Sequence, residues 1–482
     1  MSRQQSQSRF ERGNDLVVMK FGGTSVEDVA AVRRLVQIVR TRSDTEIIVV
    51  VSALAGVTDQ LGDAGHAAAE GRLGSALATV RNIYVRHEAI ADDLVGGPAS
   101  RDLERDLRSE FRELESMLHS LDESRKLAIA AQDRLLGFGE RLSSTLVSAC
   151  LCADGVKASH VDAHDCIVTD ACHSHASPVW DETRQRLQDA LTPLLEAGQV
   201  PVLGGFIAST SDGVPTTLGR GGSDFTASIV GAALDACRIE IWTDVDGIMT
   251  ADPKICPDAR LVRRMSFEEA AELAHFGAKV LHPATLAPAM RENIPLHVLN
   301  SRNPQGEGTQ IGGHARGENP VSAISAKRKV VAVEIESTRG VGAEVLHRVC
   351  AAFDKHGCPV DVIAASIGQL WLMVSSTAAL PAIAAELRDA AQVRWENHQG
   401  LVCLVGEGIR RQPEVTSRVF AAVSDLNVRV MCQGASDRTI SFLVEESKVE
   451  ESVRRLHGLF FPVAREAARD WGGISTAFCQ AG

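Results

Sequence analysis

Residues 16–34, "LVVMKFGGTSVEDVAAVRR", run from an apolar stretch through Lys20 into two adjacent glycines, after which Val26, Val29, Val36 and Val39 recur at helical spacing. The pattern predicts a buried strand, a glycine turn and a helix. That junction is where parallel α/β sheets bind anions, because Gly22 and Gly23 let backbone N–H groups approach an oxyanion and a helix start carries positive charge. Thr24 and Ser25 are placed to cap that helix, and Lys20 adds a compact full charge. Lys20 precedes the glycines, so the stretch is no Walker A loop. Taken alone, the lysine reads also as an ordinary solvated cation at a strand end.

The chain has 482 residues, 45% of them hydrophobic, enough for about two to four domains with buried cores. A net charge of −12 and the lack of basic tracts with interleaved aromatics argue against a nucleic-acid surface. Eleven cysteines without a C-x-x-C pair fit thiols in a reducing compartment, and the cytoplasm is the expected location. No apolar run reaches membrane-spanning length, and residues 1–14 read as a disordered polar leader.

From Leu16 to about Asn300, the apolar runs "EIIVVVSALAG", "VPVLGGFIAST", "RIEIWTDVDGI" and "IPLHVLN" alternate with helical patterns, which predicts an α/β fold with a mostly parallel sheet between helices. Leu103, Leu107, Phe111, Leu114, Leu118 and Leu121 mark one long amphipathic helix. The Gly- and Pro-rich stretch 301–320 marks a boundary. Beyond it, an offset of 70 residues lays 343–374 on 413–444 without a gap and with ten identities, an internal duplication of two small βαββ-type modules. The expected division is a catalytic domain at 15–310, a linker at 311–328 that also offers a strand to the second module, modules at 329–396 and 397–464, and a tail at 465–482.

Four segments carry chemistry. In "DGVPTTLGRGGSDFTASIVGAAL" four glycines surround Arg220, whose planar fork suits a carboxylate, and Ser223 and Asp224 open a helix expected to begin at Phe225. Asp224 reads either as a site residue or as an N-cap. "GFGERLSS" places Glu140 behind closely spaced glycines at an expected helix start. "IWTDVDGIMTADPKICPDAR" runs off a strand into Thr243, Asp244, Asp246 and Lys254, at the kind of strand end where nucleotides lie. "FGAKVLHPAT" holds Lys279. The cluster His160, His164, Cys166, Cys172, His173 and His175 matches no zinc spacing, and no metal site is expected.

Taken in order, "KFGGTS", "VSALAGVTD", "GERLSS", "TTLGRGGSDFTA", "IWTDVDGIMTADP" and "FGAKVLHPAT" resemble the aspartate kinases of the amino-acid kinase family, and the duplicated modules resemble their paired ACT domains. The resemblance implies ATP- and Mg²⁺-dependent phosphorylation of the side-chain carboxylate of L-aspartate, the first step towards lysine, threonine and methionine. It assigns Lys20, with the Gly22 and Gly23 amides, to the phosphates, and Asp224 to orienting Lys20 or the substrate. Arg220 would clamp the α-carboxylate and Glu140 would receive the ammonium, with Ser52, Thr58 and Ser223 lining the same pocket. Thr243, Asp244, Met249, Lys254 and Lys279 match nucleotide-binding positions. Met249 stands where an aromatic residue is common and Lys254 where arginine is, and lysine lacks arginine's bidentate contact.

An amino-acid effector is expected at the first ACT module, on Thr338, Gly340, Gly342, Val360, Asp361 and Ser366, in a homodimer or tetramer. Lysine-sensitive relatives commonly carry a carboxylate after the serine matching Ser366. Ile367 stands there instead, so lysine inhibition is expected to be weaker than usual, with threonine or a combination of end products as alternatives. Kinases of the same fold acting on glutamate, acetylglutamate or UMP lack the paired module, and a non-catalytic sensor would not need Lys20, Glu140, Arg220 and Asp224 together.

Overall fold

The computed structural model describes residues 15–42, 45–278, 281–313, 319–337, 340–434 and 436–462. The expected leader and tail therefore lie outside the described residues, as do Lys279 and Thr338.

Two compact units result. The first takes Met1–Ile248 and Leu281–His314, the second Met249–Val280 and Ala315–Gly482. In the first unit the strands run in the order Ala158–Val161, Val200–Gly204, Ile47–Val51, Val17–Phe21, Arg238–Thr243, Leu296–Asn300 and Thr309–Gly312. All neighbours are parallel except the last pair. Val17–Phe21 and Ile47–Val51 are buried at every position, as continuous apolar runs in a doubly covered parallel sheet should be. Lys20 is the last residue but one of Val17–Phe21, opposite Val50 and Ile241.

"VPVLGGFIAST" forms two strands, because Gly204 and Gly205 turn the chain from Val200–Gly204 into Ile207–Thr210 of a smaller sheet with Val168–Thr169 and Pro215–Thr217. The expected amphipathic helix spans Pro98–Ser124, and Leu103, Leu107, Phe111, Leu114, Leu118 and Leu121 are its buried stripe.

Packing divides the chain differently from the boundary expected at residue 310. Residues 249–280 belong with the C-terminal unit because Ala251 and Cys256 join the core of Val402, Phe442 and Phe460, and the Thr250 carbonyl accepts the Ile324 N–H at 2.8 Å. In that unit, the six strands run Val360–Ala365, Gln369–Val374, Ala323–Glu336, Gln392–Val405, Thr439–Glu445 and Val430–Gln433. The 70-residue offset reappears in the helices Ala343–Lys355 and Pro413–Ala422. Ala323–Glu336 serves both copies: Ala323–Lys327 pairs with Leu401–Val405, and Val331–Glu336 pairs with Gln369–Val374.

Candidate active site

The glycine turn after Lys20 is a single 3₁₀ turn, Gly23–Ser25, and the following helix, Val29–Arg40, is capped by Asp28, whose Oδ1 accepts the Ala31 N–H at 2.8 Å. Thr24 and Ser25 therefore do not cap it. The 3₁₀ turn delays the helix by a few residues and frees Ser25 Oγ to donate to Ser301 Oγ at 2.8 Å. Gly23 is required by close approach, since a Cβ there would stand 3.0 Å from the Ala53 carbonyl. The Gly22 N–H donates to the Trp242 carbonyl at 3.0 Å.

A cavity of about 350 Å³ opens at this turn, lined by Lys20, Gly23, Ser52, Thr58, Glu140, Ser223 and Asp224 among others. Lys20 Nζ lies 2.6 Å from Asp224 Oδ1, with 10% and 14% of the two side chains exposed. The helix bearing Asp224 starts at Gly222, not Phe225, so Asp224 stands in the first turn and its carboxylate pairs with Lys20 instead of capping. Gly221 precedes this helix with φ +72°, and a Cβ there would meet His282 Cβ at 2.5 Å, so only glycine fits.

Glu140 sits in mid-helix, within Ile129–Ala153, and not at a helix start. The glycines around it serve packing: a Cβ on Gly139 would lie 2.8 Å from Ala53 Cβ. Glu140 is 3% exposed, its Oε1 accepts the Ala53 N–H at 3.2 Å, and its Oε2 is buried without a partner. Burial pushes its carboxyl up to about 8, against the pull of the Ala53 N–H and of Lys20.

Arg220 is exposed and is not among the lining residues, although Gly219 and Gly221 on either side are. Thr243 ends its strand, its Oγ1 donating to Asp244 Oδ1 at 3.3 Å. Met249 and Lys254 belong to the second unit, where Met249 bridges to Leu261 and the Lys254 N–H donates to Asp252 Oδ1 at 2.9 Å. Sequence reasoning missed Asp59 and Phe206, which also line the cavity. Phe206 carries φ +65° directly after Gly204 and Gly205, and that glycine pair was the available signal.

Three histidines of the cluster are hydrogen-bonded. His160 bonds Ser144 Oγ at 3.0 Å, His164 pairs with Asp162 at 2.9 Å and His173 with Asp133 at 2.8 Å. At the first ACT module, Gly340 has φ +80°, and a Cβ there would lie 3.2 Å from the Ile367 carbonyl, which accepts the Val341 N–H at 2.8 Å. Gly342 has an extended backbone, φ −89°, that any residue adopts. Val360 begins the strand that carries Asp361, and Ser366 N–H donates to the Gln369 carbonyl at 2.8 Å. The Asp361 carboxylate is already paired: Lys327 Nζ lies 2.6 Å from its Oδ2.

The profile of the amino acid kinase family matches residues 15–300, and that of the ACT domain matches residues 402–460. The chain is 33% identical to lysine-sensitive aspartokinase 3 of Escherichia coli (strain K12), over 93% of this chain and 100% of the relative. The solved structure of E. coli aspartokinase III in complex with aspartate and ADP (R-state) aligns with a TM-score of 0.82 at 32% identity, covering 92% of this chain and 100% of that one. The complex of the same enzyme with lysine and aspartate (T-state) aligns with a TM-score of 0.76 at 32% identity, covering 93% and 100%. With a parallel sheet whose strand ends carry the cavity, and a duplicated ACT-type sheet after it, the chain belongs to the aspartokinases of the amino acid kinase family.

Proposed function

We propose that this aspartate kinase transfers the γ-phosphoryl group of ATP to the side-chain carboxylate of L-aspartate, giving 4-phospho-L-aspartate for the synthesis of lysine, threonine and methionine. The observation that carries the reading is one cavity holding the Lys20–Asp224 pair and the partnerless Glu140 Oε2. A cation fixed by a counter-charge suits a phosphoryl group, and a buried acceptor with nothing to accept suits a substrate ammonium.

The nucleophile is itself a carboxylate, ionised at neutral pH, so no general base is needed. What remains is positioning and charge stabilisation. Asp224 holds Lys20 towards the cavity, and Lys20 offsets the charge that develops on the transferring group. Glu140 takes the aspartate ammonium, Ser52, Thr58 and Ser223 supply hydroxyls beside it, and Arg220 reaches the α-carboxylate from outside the lined volume. Thr243, Asp244, Met249, Lys254 and Lys279 contribute to the nucleotide. Mg²⁺ takes oxygen ligands and keeps several waters, and the exposed carboxylate of Asp244 beside Thr243 is a donor of that kind. When bound with ATP, the ion spreads phosphate charge.

The relative solved with aspartate and ADP, and with lysine and aspartate, supports these substrates and feedback by an end-product amino acid at the ACT modules. The reading carries with it a cytoplasmic homodimer or tetramer. Among the described residues no helix is long and apolar enough to cross a membrane.

The experiment is a coupled ADP-release assay with Mg²⁺ across aspartate, glutamate, acetylglutamate and UMP. Turnover confined to aspartate is the expected result. Turnover with another acceptor but not aspartate would overturn the substrate, and folded protein without any aspartate-dependent ADP release would indicate a sensor.

A further inference from the structure

Three side chains of the C-terminal unit that have no part in phosphoryl transfer converge on one point. Cys256 and Asp258 stand in the loop after Met249, and His457 stands on the last described helix, Val449–Phe460. The Cys256 thiol, an Asp258 oxygen and a His457 nitrogen all lie within 4.8 Å of one another. Cys256 and His457 are buried, at 2% and 1% exposure, while Asp258 reaches solvent.

The orientation of His457 is fixed from behind. Its Nε2 lies 2.9 Å from Thr250 Oγ1, which also accepts the Arg260 N–H at 2.9 Å. That bond leaves Nδ1 facing Asp258 Oδ1 at 3.6 Å. Such a distance is too long for a hydrogen bond. It is, however, the spacing of two ligands on one tetrahedral ion, roughly 3.3–3.6 Å for zinc bonds to nitrogen and oxygen. A hydrogen bond to the far nitrogen is how ligating imidazoles are normally held in tautomer and direction.

We propose that Cys256, Asp258 and His457 bind a divalent transition-metal ion of the zinc class, with water in the fourth position. One thiolate, one imidazole and one carboxylate suit zinc or cobalt and not Mg²⁺, so the ion that accompanies ATP does not compete. Binding forms a metal–sulfur bond and releases the thiol proton to solvent. The ion clips the loop 249–263, closed on itself by the Met249–Leu261 bridge, to the final helix of the second ACT module. His457 lies about 200 positions beyond Cys256 and Asp258, and the three follow no standard ligand spacing, which is why no motif announces them.

The test uses the full chain, stripped with a chelator and titrated with Co²⁺. Wild type should take up one equivalent with a thiolate-to-cobalt charge-transfer band, lose it on addition of Zn²⁺, and gain thermal stability with Zn²⁺ in a concentration-dependent way. Cys256→Ser should lack the band. Asp258→Asn changes a solvent-reaching side chain, so the fold is kept, and its Co²⁺ affinity should fall at least about 10-fold, in the range seen when a metal site loses an interaction. No band in wild type, a band that persists in Cys256→Ser, or equal affinity in Asp258→Asn would each overturn the site.

Discussion

The Nζ of Lys20 and the Oδ1 of Asp224 meet at 2.6 Å in the lining of the cavity, joining the end of the Val17–Phe21 strand to the first turn of Gly222–Ala233. Asp224 fixes where Lys20 points. Lys20→Ala should lower kcat about 10²–10³-fold, the cost of removing one preorganised electrostatic donor, with aspartate KM moving much less. Because only 10% and 14% of the two side chains meet solvent, the variant should also lose about 1–3 kcal/mol of stability, somewhat below the figure for a fully buried pair. Asp224→Asn should reduce kcat in the same direction while leaving ATP binding measurable. Steady-state kinetics with denaturant unfolding separates the two effects, and near-normal kcat in Lys20→Ala would remove it from the chemistry.

Glu140 makes a pH prediction. Its carboxyl is held at about 8 by burial, whereas an unfolded glutamate titrates near 4.5, so between those values the folded chain keeps a proton that the unfolded chain has lost. Stability contributed at this position therefore declines as pH rises from about 4.5 to about 8. Glu140→Gln should become progressively more stable than wild type across that window, read from denaturant midpoints. An arriving ammonium reverses the balance by favouring the carboxylate, so aspartate binding below pH 8 should release a proton in wild type. Calorimetry in buffers of different ionisation enthalpy checks this, and Glu140→Gln should abolish the release and raise aspartate KM.

Arg220 is exposed in the free enzyme, so its contribution comes only with substrate. Arg220→Ala should raise aspartate KM by roughly 10-fold or more, the worth of one charge-assisted contact, without changing the melting temperature. A fall in kcat with KM unchanged would contradict a role in holding the α-carboxylate.

At the first ACT module, an effector ammonium directed to Asp361 must displace Lys327. Lys327→Met should tighten binding of the end-product amino acid that inhibits, while Asp361→Ala should weaken it. Ile367 is 91% exposed beside Ser366 and offers no carboxylate to a second ammonium. Ile367→Glu should strengthen inhibition by lysine roughly 10-fold and leave threonine inhibition unchanged. Titration of activity and of binding in parallel measures both, since an effector that shifts a conformational equilibrium changes aspartate affinity reciprocally.

Much of the fold was legible because buried parallel strands are written as apolar runs: "LVVMK" and "EIIVVV" became neighbouring strands, in register at Lys20 and Val50. The errors share one cause. Helix starts were placed by capping chemistry within a few residues, but Gly137 answers to Ile207 and Gly139 to Ala53, partners distant in sequence, so the two glycines lie inside a helix and not before it. Asp224 resembled a cap for the same reason; its partner is Lys20, 204 positions earlier. The segment after Ile248 continued the α/β pattern in sequence, while Ala251, Ile255, Cys256 and Ala259 found their core with Val402 and Phe442.

The strand Ala323–Glu336 has a consequence for how such a chain can be cut and recombined. Its first residues are lent to the second module and its last to the first, so the seam between the repeats is not a breakpoint. A chimera that imports only the first repeat from a relative, joined at residues 329 and 396, would mate a foreign half-strand with a native one at the register shift after Lys327. Exchange of regulatory specificity should therefore succeed when residues from about 319 to the end of the last helix travel as one cassette, and fail when the repeats are traded singly.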